Sequence, residues 1–179
     1  SNQFDTAFDA LDRLRSRDGG SSTSDLKSQV LQLLTENADD VTFMRFSMLQ
    51  SDLDMKEIDD EVANGIAGRL LSLGFDTLAS SWLVDPSRGP ADRNRRLLRA
   101  RIALKRDSPL QAEAELIGLH GEDVDRLTAQ ARSIMGDHAA AIEMFDSTQS
   151  TKDALREAWL SEDWRRLAAS EDPLYEEVA

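Results

Sequence analysis

Apolar residues recur along almost the whole chain at helical spacing. Residues 4–16 place Phe4, Ala7, Phe8 and Leu11 on one face. Leu26, Val30, Leu33 and Leu34 follow the i, i+4, i+7, i+8 pattern of a buried face, which predicts a helix from the N-cap Ser24 to about Asn37. Residues 40–50, capped by Asp39-Asp40, are apolar nearly all round (Val41, Phe43, Met44, Phe46, Met48, Leu49). That pattern predicts a central helix with neighbours on several sides. Asp54 with Glu57 resembles a capping box and opens a long helix to about Leu73, with Met55, Ile58, Val62, Ile66, Leu70 and Leu73 as its stripe. Gly65 and Gly68, three residues apart, predict a tight crossing with another helix, and Gly74 is placed as a residue just past a helix end. A short helix over 76–84 carries Leu78, Ala79, Trp82 and Leu83.

The second half continues in the same way. A basic helix is expected over 91–106, and Ser108-Pro109-Leu110-Gln111 is a strong helix start, with a cap, Pro at the first helical position and Gln at the third. Residues 126–147 read as two short helices hinged at Gly136-Asp137. Leu127, Ala131 and Ile134 form one stripe, and Ala141, Ile142 and Phe145 the other. Neither helix can bury its stripe alone, so each must lie on the other and on neighbours. Ser150 or Thr151 opens a further helix with Leu155, Ala158 and Trp159, and Trp164, Leu167 and Ala168 predict one or two more turns.

Turn chemistry divides the chain. Gly19 to Ser24 is a flexible connector, so residues 1–23 are expected to form an N-terminal helix plus linker. Residues 24–170 form the helical domain, with a sub-boundary in the surface loop 85–90 (Asp85-Pro86-Ser87-Arg88-Gly89-Pro90), and 171–179 an acidic tail.

The hinges fall into register. Gly74-Phe75, Arg106-Asp107, Gly136-Asp137 and Glu162-Asp163 lie 32, 30 and 26 residues apart, and a small or bulky apolar pair follows each: Ala79 and Trp82, Ala112 and Leu116, Ala141 and Phe145, Trp164 and Leu167. A small residue early in the second helix lets two helices approach, and the bulky residue after it fills the gap to the next unit. This unit resembles the tetratricopeptide family of helical-hairpin repeats. Gly136-Asp137, Ala141-Ile142 and Phe145 stand where that family has its hinge, its small residue and its aromatic. Thr128-Ala129 and Arg132 replace the family's Leu-Gly pair and Tyr, Thr148 stands at a place usually small and apolar, and the closing Pro is missing. The resemblance covers roughly residues 60–168. It implies an all-α fold of stacked antiparallel hairpins in a right-handed superhelix, whose concave face holds a peptide or protein segment. The alternative is an irregular helical bundle.

Composition narrows the chemistry. The 179 residues are 40% hydrophobic and 31% charged, with a formal net charge of −13. So acidic a chain repels phosphate backbones, which argues against nucleic acid as a partner. It has no cysteine, hence no disulfide, thiolate nucleophile or cysteine zinc site. No apolar run approaches the ~20 residues of a membrane-spanning helix. Neither a signal-peptide pattern nor an initiating Met is present at Ser1-Asn2, and the chain is read as a soluble piece of a larger bacterial protein, cytoplasmic or periplasmic. The excess of Arg (17) over Lys (4) is read as genomic bias.

Catalytic patterns are absent. His120 and His138 are 18 residues apart, outside any His-x-x-x-His spacing, so a metal site is not expected. Asp52, Asp54 and Asp60 fail as a calcium loop, because Glu57 and Ala63 occupy the places that need Gly and Glu. No cofactor is expected. One segment departs from the acidic background: residues 88–106 carry Arg88, Arg93, Arg95, Arg96, Arg99, Arg101, Lys105 and Arg106 against Asp92, a local charge of +7. Arg95, Arg99 and Arg106 share a helix face. They are either paired with carboxylates of neighbouring helices or form a binding stripe for an acidic peptide, since guanidinium groups suit bidentate carboxylate contacts. Trp82, Trp159 and Trp164 are expected in the core. The resulting expectation is a non-catalytic protein–protein interaction scaffold. The alternatives are a structural or oligomerising helical domain and an enzyme with scattered carboxylates.

Overall fold

Sparse Gly and Pro and abundant Leu, Ala, Arg and Glu favour uninterrupted helix. The computed structural model describes residues 2–18, 21–49, 58–84 and 89–170, and among these the chain is helical with no strand. The elements are α1 (Asn2–Asp18), α2 (Ser21–Asn37), α3 (Asp40–Leu49), α4 (Asp60–Ser72), α5 (Asp76–Ser81), α6 (Ala91–Lys105), α7 (Pro109–Leu116), α8 (Glu122–Ile134), α9 (His138–Ser147), α10 (Thr151–Leu160) and α11 (Trp164–Ala168). Two units emerge, Ser1–Leu98 and Arg99–Ala179, divided inside α6. The loop residues 85–88, the connector residues Gly19 and Gly20, the capping pair Asp54 and Glu57 and the acidic tail lie outside the described residues.

In the N-terminal unit α1 packs on α2, α2 on α4, and α4 on α5. Phe8 and Leu11 of α1 are buried, and Phe8 stacks on Phe46 of α3 with ring centroids 4.8 Å apart. Aromatic packing thus docks α1 within this unit. Ser21 to Ser24 are helical, so Ser24 is inside α2 and not its cap. The buried face of α2 is also rotated from the expected one. Lys27, Leu31 and Leu34 are buried, while Leu26 and Leu33 are 42% and 53% exposed. The sequence offers two adjacent apolar stripes there, and the neighbouring helices decide between them.

Arginine side chains lock this unit. Arg69 of α4 reaches the C-terminal end of α2, donating from Nη1 to the carbonyls of Leu34 (3.3 Å) and Thr35 (2.7 Å) and from Nη2 to Ala38 O (2.6 Å). It also pairs with Asp40 at 2.8 Å and lies 4.4 Å over the Phe43 ring. One side chain thereby satisfies the carbonyls of Thr35 and Ala38 at the helix end and adds a second donor to Leu34 O, which also accepts from Ala38 N at 3.2 Å. Asp39 caps α3 as expected, accepting from Thr42 N (3.0 Å) and Thr42 Oγ1 (2.7 Å), and these bonds hold its carboxyl below the usual carboxylate range. Helix α4 begins at Asp60 and not near Asp54. Asp59 is its N-cap, accepting from Glu61 N at 2.8 Å, while its own N–H donates to Ser28 Oγ at 3.2 Å and pins the entry of the helix to α2. A Cβ at Gly65 would meet Thr35 Cγ2 of α2, and one at Gly68 would meet Leu98 Cδ2 of α6, each at 3.7 Å. The two glycines mark the crossings of α4 with both neighbours.

In the C-terminal unit each helix packs on the next, from α7 through α8, α9 and α10 to α11. Ala129, Ala141, Phe145 and Ala154 form one cluster across α8, α9 and α10; Ile142, Leu155, Ala158 and Leu167 form the next across α9, α10 and α11. The alanines let the backbones approach and Phe145 fills the space between them. Thr148 is buried with its hydroxyl bonded to Phe145 O and Ser150 Oγ, both at 3.1 Å, which explains a polar residue at that place. Ile134, expected in the stripe of α8, is exposed.

The hinges share one backbone device. Gly74, Asp107, Gly136, Gln149 and Glu162 have φ of 88°, 55°, 81°, 55° and 59°. The next residue's N–H in each case bonds back five residues: Phe75 to Leu70 O, Ser108 to Ala103 O, Asp137 to Arg132 O, Ser150 to Phe145 O and Asp163 to Ala158 O, all at 2.8–2.9 Å. This left-handed turn returns the last carbonyls of one helix to hydrogen bonding while reversing the chain. The turn at Gln149 was not part of the expected register. Ser108 stands at the N-cap of α7 as expected, but its hydroxyl donates to Arg106 O at 3.3 Å and does not cap.

Candidate functional site

The three arginines singled out for partner binding have separate environments. Arg95 lies on α6 at the edge between the apolar positions and the basic ones, and α4 covers it. It is 3% exposed, its Nη2 is 2.9 Å from Asp60 Oδ1, and its Nε donates to Asn64 Oδ1 at 2.9 Å. Asn64, itself buried, donates from Nδ2 to Ala91 O at 2.9 Å and so closes a clamp between α4 and the start of α6. The guanidinium of Arg95 is committed inside its unit, which is the intramolecular arrangement, and Asp60 is its ion-pair partner. Arg99 is half-buried in the C-terminal unit, with Nη1 3.9 Å from Glu115 Oε1 of α7. Arg106 is exposed in the hinge between α6 and α7.

A second polar cluster was not singled out by sequence. Glu157 of α10 is fully buried, and its Oε2 lies 2.8 Å from Nδ1 of His138, the first residue of α9. Its Oε1 accepts from Arg156 Nη2 at 3.1 Å and from Arg156 Nε at 3.3 Å. Burial pushes the Glu157 carboxyl up, but His138, the nearby Ser133 hydroxyl and Arg156 outweigh it and leave it below the ordinary value. The arrangement ties α10 to the start of α9, so the cluster is a brace between the two helices in form. The signal was present in the sequence: Glu157 stands on the apolar face between Ala154 and Ala158.

Trp82 is buried, but Trp159 and Trp164 depart from the core placement expected of them. They are 40% and 45% exposed and meet edge to face, with centroids 5.5 Å apart and planes at 83°. A groove of about 710 Å³ runs between α2 and the start of α4 in the N-terminal unit, with Ile58 and Val62 in its lining and Asp25, Glu36, Asp59 and Glu61 along it. Glu36 accepts from Gln32 there at 2.9 Å, and Asp59 caps α4. His120 is exposed in the loop between α7 and α8. Among the described residues no group of three or more His, Asp or Glu side chains is placed to hold a metal ion, and no helix is long and apolar enough to cross a membrane.

Compared with known proteins, the chain matches no protein-family model, no curated protein and no solved structure.

Proposed function

We propose that the chain is a non-catalytic protein–protein interaction scaffold, a helical-repeat module that binds a peptide or protein segment, with its hairpins arranged as a tetratricopeptide-like right-handed superhelix. The observation that carries this reading is the recurrence of one left-handed hinge turn at Gly74, Asp107, Gly136, Gln149 and Glu162. Repeated hairpins bury a continuous core through neighbours alone and leave long surfaces for partners. Arg99 and Arg106 are the basic positions through which an acidic segment would be held; Arg95 serves the clamp on α4 instead. The test is capture of partners from the source organism by the wild-type chain and by an Arg99→Glu/Arg106→Glu variant of unchanged helical content. A partner held by the first and lost by the second supports the reading, while identical capture by both removes the arginines from it.

A structural or oligomerising role is the second reading. Val41 and Met48, seven residues apart on α3, are 80% and 55% exposed, the apolar spacing of a helix flank that could meet another copy. Light scattering over a concentration series separates the two readings: a monomer at every concentration removes the second.

A further inference from the structure

A fully buried carboxylate backs the imidazole of His138. Glu157 Oε2 lies 2.8 Å from His138 Nδ1, while Oε1 takes Arg156 Nη2 at 3.1 Å. The Glu157 carboxyl titrates below its ordinary value, so it is ionised near neutral pH. An ionised carboxylate only accepts, and the proton of this contact therefore sits on Nδ1. In the neutral ring the lone pair then belongs to Nε2. The His138 side chain is 25% exposed, and Nε2 has no protein partner among the described residues. Nor is it shut inside: the buried side-chain atoms without a partner among those residues are Trp82 Nε1, Glu113 Oε1 and Arg166 Nε. One ring nitrogen is thus locked and the other is presented to solvent, on the first residue of the ten-residue helix α9. Glu157 is the one buried carboxylate among the described residues, so the exposed His120 is an internal comparison for the same chemistry.

We propose that His138 is a phosphoryl-acceptor site, whose Nε2 takes the phosphoryl group of a small acyl phosphate, with Glu157 as the positioning residue. The Nε2 lone pair attacks phosphorus and forms the N–P bond. The P–O bond to the acyl oxygen breaks, and its electron pair leaves with the carboxylate product. No proton has to be removed, because the Nδ1–H stays on the ring. The ring becomes cationic as the bond forms, and Glu157 faces that charge from a position that water does not screen. A mixed anhydride carries its own activation, so the step needs no further reactant. The N-terminal end of α9 favours the added anion. The neighbouring carboxylates already have guanidinium partners: Asp137 lies 3.6 Å from Arg132, and Asp153 lies 3.4 Å from Arg156.

The probe is acetyl phosphate, incubated with the full chain at neutral pH. Phosphohistidine is located by mass spectrometry of fragments kept out of acid, and the ring position is assigned by phosphorus and nitrogen NMR. His138 is expected to be labelled at least about tenfold faster than His120, and at Nε2 alone, because Glu157 occupies Nδ1. Glu157→Gln keeps an acceptor for the Nδ1–H and removes the charge. At unchanged helical content it slows labelling of His138 about tenfold and leaves His120 as it was. A carboxylate that served only to brace α10 against α9 would leave the ratio of the two histidines unmoved. Equal labelling of both histidines, product at Nδ1 of His138, no phosphohistidine at all, or an unslowed Glu157→Gln variant overturns the proposal. Should that variant lose helix, the ring position and the rate ratio in the unaltered chain decide the matter. Partner capture through Arg99 and Arg106 does not involve His138, so the scaffold reading survives or fails separately.

Discussion

The two units solve the same problem of joining short helices by different means. In the N-terminal unit, apart from the Gly74 turn between α4 and α5, the joints are made by long side chains acting at a distance. Arg69 ties α4 to the end of α2, and Arg95 with Asn64 ties α4 to the start of α6 across about 30 residues of chain. In the C-terminal unit the joints are local turns, repeated at Asp107, Gly136, Gln149 and Glu162, and a single buried carboxylate, Glu157, braces α10 against the start of α9. Long-range clamps leave buried groups stranded when one partner is removed, whereas a local turn loses only its own conformational preference. Damage is therefore expected to be larger per residue in the N-terminal unit.

The sharpest way to break this contrast is Arg69→Ala, which strands the carbonyls of Thr35 and Ala38 and removes the cation over Phe43. A loss of about 2–4 kcal/mol is expected. In hydrogen exchange it appears as faster exchange in α2 to α4 with α8 to α10 unchanged; equal acceleration in both units would contradict the contrast. Arg95→Met comes next. It deprives buried Asn64 of a donor and leaves Asp60 near the surface, for a loss of about 1–3 kcal/mol in urea unfolding.

Acid provides the third test, directed at the C-terminal brace. Because the folded Glu157 carboxyl lies below its unfolded value of 4.5, its contribution is fully present above that value and is lost as pH falls through the folded one. Unfolding of α8 to α10 should therefore ease below about pH 4.5, and Glu157→Gln should flatten that part of the profile. An unchanged profile in the variant would assign the acid sensitivity to other carboxylates.

The smallest effects belong to the hinges. Glu162 and Gln149 hold left-handed φ values that glycine adopts without cost, so Glu162→Gly is expected to gain up to about 1 kcal/mol. Gly136→Ala is expected to lose about 1 kcal/mol; a Cβ there meets nothing within 4 Å, so the cost is conformational alone. Thermal melts of the two variants should move in opposite directions.

Local signals were legible where one residue type has one use. Gly74 and Gly136 mark left-handed turns, Asp39 and Asp137 are caps, and the Ala141–Phe145 spacing gives the core of a hairpin, because each follows from backbone sterics or helical period. The turn at Gln149 was missed because a non-glycine residue fills it. The candidate site was legible only in part. The basic run on α6 is plain, yet the burial of Arg95 depends on Asp60 and Asn64, more than 30 residues away in sequence.

The sequence by itself determined an all-helical chain, most of its helix boundaries and the hinge rhythm of its second half, since these rest on interactions within a few residues. Tertiary structure alone decided which stripe of α2 is buried, that Arg95 faces inward, that Glu157 meets His138, and that Trp159 and Trp164 remain at the surface. Helical periodicity tells which residues share a face. Which face meets a neighbour is set by the helices that pack against it, and that information lies outside any local window of the chain.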